Sequence, residues 1–139
     1  MSWLPLSLLS AAFAALVAIF GRIGVRDVDS TFATALRAFV MAAMLGVVCL
    51  FLGKYQRLDA VPARSLVFIL LSGAAGAASW ICYFMALKTA PTTTAVAALD
   101  RSSLVLVFVF AVAFLGEELK WQTALGAVLC AGGAILMAL

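Results

Sequence analysis

Five runs of apolar residues, each about as long as a bilayer is thick, alternate with short polar turns along this 139-residue chain. The runs cover residues 3–20, 31–52, 66–87, 92–115 and 121–139. A helix rises about 1.5 Å per residue, so about 20 apolar residues cross a hydrocarbon core about 30 Å thick. Barrel strands would alternate apolar and polar positions over about ten residues, and these runs do not. The pattern predicts an all-α integral membrane protein with five transmembrane helices. The turns are short enough to force neighbouring helices antiparallel, and five crossings place the two termini on opposite sides.

Composition agrees with that class. Hydrophobic residues make up 67% of the chain and charged residues 11%, whereas a soluble domain carries about a quarter charged. No stretch reads as a separate aqueous domain, so residues 1–139 are expected to form a single transmembrane domain in the lipid bilayer. The nine basic residues are scattered, which excludes the clustered face that nucleic acid requires. Histidine is absent, removing the commonest metal ligand and general base. Cys49, Cys82 and Cys130 lie singly in apolar runs. No metal, cofactor or disulfide framework is expected from that spacing, and each cysteine reads as a small buried hydrophobe. The first run has no basic residue before it, while Arg22 and Arg26 follow it. It reads as a retained helix rather than a cleaved signal.

Charges inside the apolar runs single out the candidate site. Asp100 and Arg101 interrupt the fourth run, with Asp100 roughly 12 Å below the membrane surface. Each charge at that depth costs about 2.5–3.5 kcal/mol on insertion scales, so such groups pair, face a water-filled cavity or handle a solute. Arg37 sits six residues into the second run, roughly 9 Å deep from the same side. An Arg37–Asp100 pair is expected if helices two and four touch; the alternative is an Arg37 that snorkels to the surface. Arg101 points about 100° away from Asp100. It either meets a negative group on a solute or bonds helix-end carbonyls. Two cations and one anion make a net positive site suited to an anionic or zwitterionic solute or a lipid phosphate. Thr93, Asp100 and Ser103 fall on one face of a continuous helix.

Small residues mark the third and fifth runs. Ser72, Gly76, Ser79 and Tyr83 share one face of helix three, with Trp80 beside it. That face either lines a pore or packs against a neighbour. Gly126, Gly132 and Gly133 suit close helix contact, which is what drives association in lipid. Glu117, Glu118 and Lys120 lie in a boundary turn and read as solvated.

Loop charge sets the orientation weakly. Lys54, Arg57, Arg64 and Lys120 fall on one side, and Arg22, Arg26 and Lys88 on the other. Trp3, Tyr55 and Trp121 sit at the first side's interface, so that side, with the N-terminus, is expected inside. A four-to-three bias also permits insertion both ways.

The order Gly21-Arg22-Ile23-Gly24, Arg37, Tyr83-Phe84-Met85-Ala86-Leu87-Lys88, Leu115-Gly116-Glu117-Glu118-Leu119, Gly126 and Gly132-Gly133 resembles one EamA domain of the drug/metabolite transporter superfamily. The resemblance covers nearly the whole chain. It implies a five-helix repeat, usually present twice in inverted topology, that exports small metabolites across a bacterial or archaeal plasma membrane. One repeat then implies an antiparallel homodimer, or pairing with a similar half-transporter, around a midplane cavity for a small-molecule solute. Helices three and four would line it, with Arg37, Ser79, Trp80, Tyr83, Asp100, Arg101 and Ser103 as substrate or coupling residues. Many relatives carry a proline midway along helix four, where this chain has Leu99-Asp100-Arg101-Ser102-Ser103. A non-transporting subunit whose charges only lock helices together is the competing function. An enzyme is not expected, because no nucleophile–base pair is present.

Overall fold

A computed structural model describes residues 3–54, 61–118 and 120–139. Among these residues the chain is helices joined by short turns, with no strand. The helices are α1 (Trp3–Gly24), α2 (Ser30–Phe51), α3 (Ala63–Thr89), α4 (Thr93–Arg101), α5 (Ser103–Leu115) and α6 (Trp121–Ala138). Five spans are long and apolar enough to cross a membrane, with Thr93–Leu115 counting as one. The expected class and number of crossings are therefore what the fold has. The loop containing Tyr55, Arg57 and Asp59 lies outside the described residues.

Helix ends follow local chemistry. α1 runs on to Gly24, four residues past the apolar run, because nothing in Gly21-Arg22-Ile23-Gly24 forbids helix. Asp29 caps α2: its Oδ1 accepts from the Thr31 and Phe32 N–H groups at 2.9 Å each, filling two of the first turn's free donors. Thr92 caps α4 in the same way, accepting from Ala95 N–H at 3.2 Å. Gly116 ends α5 with φ +69°, and both its N–H and that of Glu117 reach the Ala111 carbonyl. That left-handed position favours glycine because it has no Cβ.

The chain divides into two compact units, residues up to Ile23 with Thr89–Leu139, and Gly24–Lys88. In the first unit α6 packs on α4 and α5. Its inward file is alanine at every position: Ala134 is buried and Ala124, Ala127, Ala131 and Ala138 are half-buried. Alanine lets the backbones approach, the main source of helix contact in lipid. Gly126, Gly132 and Gly133 lie off this file, each with open space where a Cβ would stand. In the second unit the buried residues gather at the start of α2 and the end of α3, namely Val25, Ser30, Thr34, Phe84 and Leu87. There the Lys88 ammonium donates to the Val28 carbonyl at 2.8 Å.

Large apolar side chains such as Phe39, Phe51 and Leu136 are exposed, as lipid-facing residues of a membrane helix are. Trp3 and Trp121 begin α1 and α6, also exposed, where interfacial aromatics anchor a span. Cys49, Cys82 and Cys130 are exposed rather than buried. Their helices turn those positions outward, and an apolar solvent asks no polar replacement.

Candidate functional site

Arg37 and Trp80 form the centre of the second unit. Arg37 lies seven residues past Ser30 in α2, about 10 Å along the axis. Trp80 lies nine residues before the end of α3, about 13 Å along. The Arg37 guanidinium carbon sits 3.6 Å over the Trp80 ring centroid and 5.6 Å from that of Phe84. A cation over an indole face gains about 0.5–2 kcal/mol, more as water is removed.

The indole is itself held by neighbours on α3. Trp80 meets Tyr83 edge-on with centroids 5.5 Å apart and Phe84 at 5.8 Å, and Tyr83 meets Phe84 at 6.2 Å. Three rings at i, i+3 and i+4 on one helix make a rigid platform. The stack occupies the face of the guanidinium and leaves its edge N–H groups for hydrogen bonds. None of those donors meets an acceptor among the described residues.

Beside the stack a groove of about 500 Å³ runs between α2 and α3. Thr31, Thr34, Arg37 and Met41 line one wall; Gly73, Gly76, Ala77 and Trp80 line the other. Added Cβ atoms at Gly73 and Gly76 would meet nothing within 4 Å. Within this unit the glycine face thus opens on the groove instead of packing tightly. Thr34 donates its hydroxyl hydrogen to the Ser30 carbonyl at 2.8 Å, so only its oxygen lone pairs remain to meet a guest.

The groove face of α3 is rotated from the expected one. Gly76 and Trp80 are on it; Ser79 is exposed and off it. Tyr83 belongs to the cluster through its ring contacts rather than through the groove wall. Thr34, Met41, Gly73 and Phe84 were not foreseen. The signal for them was the spacing 34–37–38–41 on α2 and 73–76–77–80–84 on α3, each one face of a helix.

The first unit holds Asp100, Arg101 and Ser103, all exposed. They flank a break in the fourth span. The Leu99 carbonyl accepts both the Ser102 N–H at 3.0 Å and the Ser102 hydroxyl at 2.6 Å. The Val105 N–H then bonds the Ser102 carbonyl at 3.1 Å. Bonds to the third preceding residue replace the usual ladder, the tight turn that a back-bonding serine favours. Asp100 and Arg101 are the last two residues of α4. Arg101 suits the negative end of that helix, whereas Asp100 stands against it. Ser103 begins α5, so the continuous register that put it on Asp100's face does not run through Ser102. Arg37 belongs to the second unit and Asp100 to the first.

Glu117 and Glu118 are exposed in the α5–α6 turn. No group of three or more His, Cys, Asp or Glu suited to a metal occurs among the described residues.

The profile of the EamA-like transporter family matches residues 1–139. A Sinorhizobium sp protein named "Uncharacterized transporter in cobO 3'region" is 43% identical over 137 residues, covering 99% of this chain and 96% of that relative. No solved structure matches the chain.

Proposed function

The chain belongs to the EamA-like transporter family and is a multi-pass membrane transporter, and on that premise we propose that it exports a small metabolite as one half of an antiparallel homodimer, or paired with a similar half. The observation that carries this reading is the Arg37–Trp80 stack. A cation with free donors, about 10 Å into a span and beside an open groove, is costly as a mere structural lock. A solute that accepts those donors offsets the cost during transport.

The pairing rests on three supports. The alignment with the relative named a transporter covers 96% of that relative, so that protein has room for one such repeat. Loop charges of four against three permit both orientations. The open positions at Gly126, Gly132 and Gly133 offer α6 a face for close approach by a second copy. Two inverted halves would rock about a midplane cavity. Asp100 would exchange a proton in the transport cycle. The cell membrane of a bacterium is the proposed location, in keeping with the Sinorhizobium relative.

The test joins topology to flux. Reporter fusions at the C-terminus should signal from both sides of the membrane. A cysteine placed at position 132 should cross-link two copies. Proteoliposomes should move solute, and lose that activity when cross-linked. One fixed orientation, a monomer in lipid and no flux across a broad metabolite panel would establish the non-transporting subunit instead.

A further inference from the structure

We propose that the α2–α3 groove is a subsite for an amphiphilic organic monoanion: a single oxyanion head on a flat apolar body. The inference rests on the transporter reading above and names the class of its solute.

The head is set by charge. Among the described residues Arg37 is the only charged one lining the groove, and no carboxylate there competes for it. A planar guanidinium binds carboxylate or sulfonate through two parallel N–H donors. Its face is already occupied by Trp80 at 3.6 Å, so its plane is fixed before the guest arrives. That removes part of the ordering cost of binding. One cation matches one negative charge. A dianion would bring an unpaired charge into an apolar wall, which is strongly unfavourable. Thr34 reinforces the limit, because its hydrogen is committed to the Ser30 carbonyl and cannot serve a second anionic oxygen.

The body is set by the walls. Beyond Arg37 the groove presents Ala38, Met41, Gly73, Gly76 and Ala77. At the two glycines the α3 backbone is bare and the space beside it empty, so a flat body can lie close along the helix. A volume of about 500 Å³ falls in the range of small-molecule sites and holds a ring with a short tail. An anionic phospholipid shares this chemistry, with its phosphate on Arg37 and an acyl chain along the glycines. We commit to the small solute, since a groove of about 500 Å³ is the size of a small-molecule site.

Binding can be measured without transport. Trp3→Phe with Trp121→Phe leaves Trp80 as the sole tryptophan, a fluorescence reporter inside the site. In phosphatidylcholine nanodiscs, phenylacetate, 4-phenylbutyrate and 2-naphthalenesulfonate are titrated beside 4-phenylbutanol and 4-phenylbutylamine. At least one anion should quench Trp80 saturably, and the neutral and cationic analogues should bind about tenfold more weakly or worse. Gly76→Leu should fill the groove and abolish the response; Val128→Leu, which adds bulk at an exposed position of the other unit, should leave it intact. Arg37→Gln should weaken binding about tenfold or more, with circular dichroism reporting its fold. If that variant does not fold, Gly76→Leu decides alone.

Equal binding of the alcohol and the acid overturns the proposal, as does a response that survives Gly76→Leu. So does the absence of saturation by all three anions up to about 10 mM. Loss of small-anion binding in phosphatidylglycerol nanodiscs assigns the groove to lipid and overturns it as well. Binding without flux in proteoliposomes would keep the site and reject the transporter pairing, so the two readings fail separately.

Discussion

The Arg37 guanidinium lies 3.6 Å above the Trp80 ring although 43 residues separate them (80 − 37). The stack joins α2 to α3, and its strength is measurable. In mild detergent, Arg37→Gln and Trp80→Leu should each destabilise the protein. A double-mutant cycle should return a coupling of about 1 kcal/mol. Arg37→Lys keeps the charge but loses the planar stack, and should forfeit most of that coupling. A coupling indistinguishable from zero would mean the contact contributes nothing to holding these helices.

The break in the fourth span falls at Ser102. Its hydroxyl and its N–H both address the Leu99 carbonyl. Ser102→Ala removes the hydroxyl bond, worth about 0.5–1.5 kcal/mol, and frees the ladder to run straight. Spin labels at positions 94 and 110 should report a longer, narrower distance distribution in the alanine variant. Identical distributions would show that the bend has another origin.

Asp100 is held at the unfavourable end of α4 and exposed. If it serves coupling, Asp100→Asn should cut the transport rate by about tenfold, equivalent to about 1.4 kcal/mol. Glu118→Gln, in the boundary turn, should change it little. Wild-type rates for Asp100→Asn would remove this residue from the mechanism.

Folding and assembly separate along α6. Ala134 is 4% exposed, so Ala134→Leu should overpack the α4–α6 contact and cost about 1–3 kcal/mol. Gly132→Leu meets open space and should leave unfolding unchanged while weakening dimers. Cross-linking yield and thermal unfolding, read on both variants, distinguish the two effects. Undiminished cross-linking in Gly132→Leu would place the dimer contact elsewhere.

The spans were legible because bilayer thickness is a strong constraint, and five apolar runs with charged turns leave one arrangement. Their boundaries moved by a few residues where caps act: Asp29 drew α2 to Ser30, and Pro62 let α3 begin at Ala63. The break at Ser102 was hidden because serine is compatible with helix. Only the geometry shows its hydroxyl and N–H both on the Leu99 carbonyl. Arg37 was visible as an intramembrane charge, but its stacking on Trp80 was not. A contact across 43 residues leaves no mark in local periodicity. In sequence the α6 glycines read as close packing, and the α3 face that includes Gly76 reads as either a pore lining or a packing face. In α6 alanines perform that role, since a methyl group suffices where backbones approach without touching.

The bare stretch of α3 has a consequence for how such proteins diversify. The residues that knit the second unit, Val25, Phe84 and Leu87, stand apart from Gly73 and Gly76, which border only empty space. Side chains can therefore be added at 73 and 76, one at a time, without disturbing anything that keeps the helices together. Stability and selectivity are written in separate letters, and a lineage can revise the second text while leaving the first as it stands.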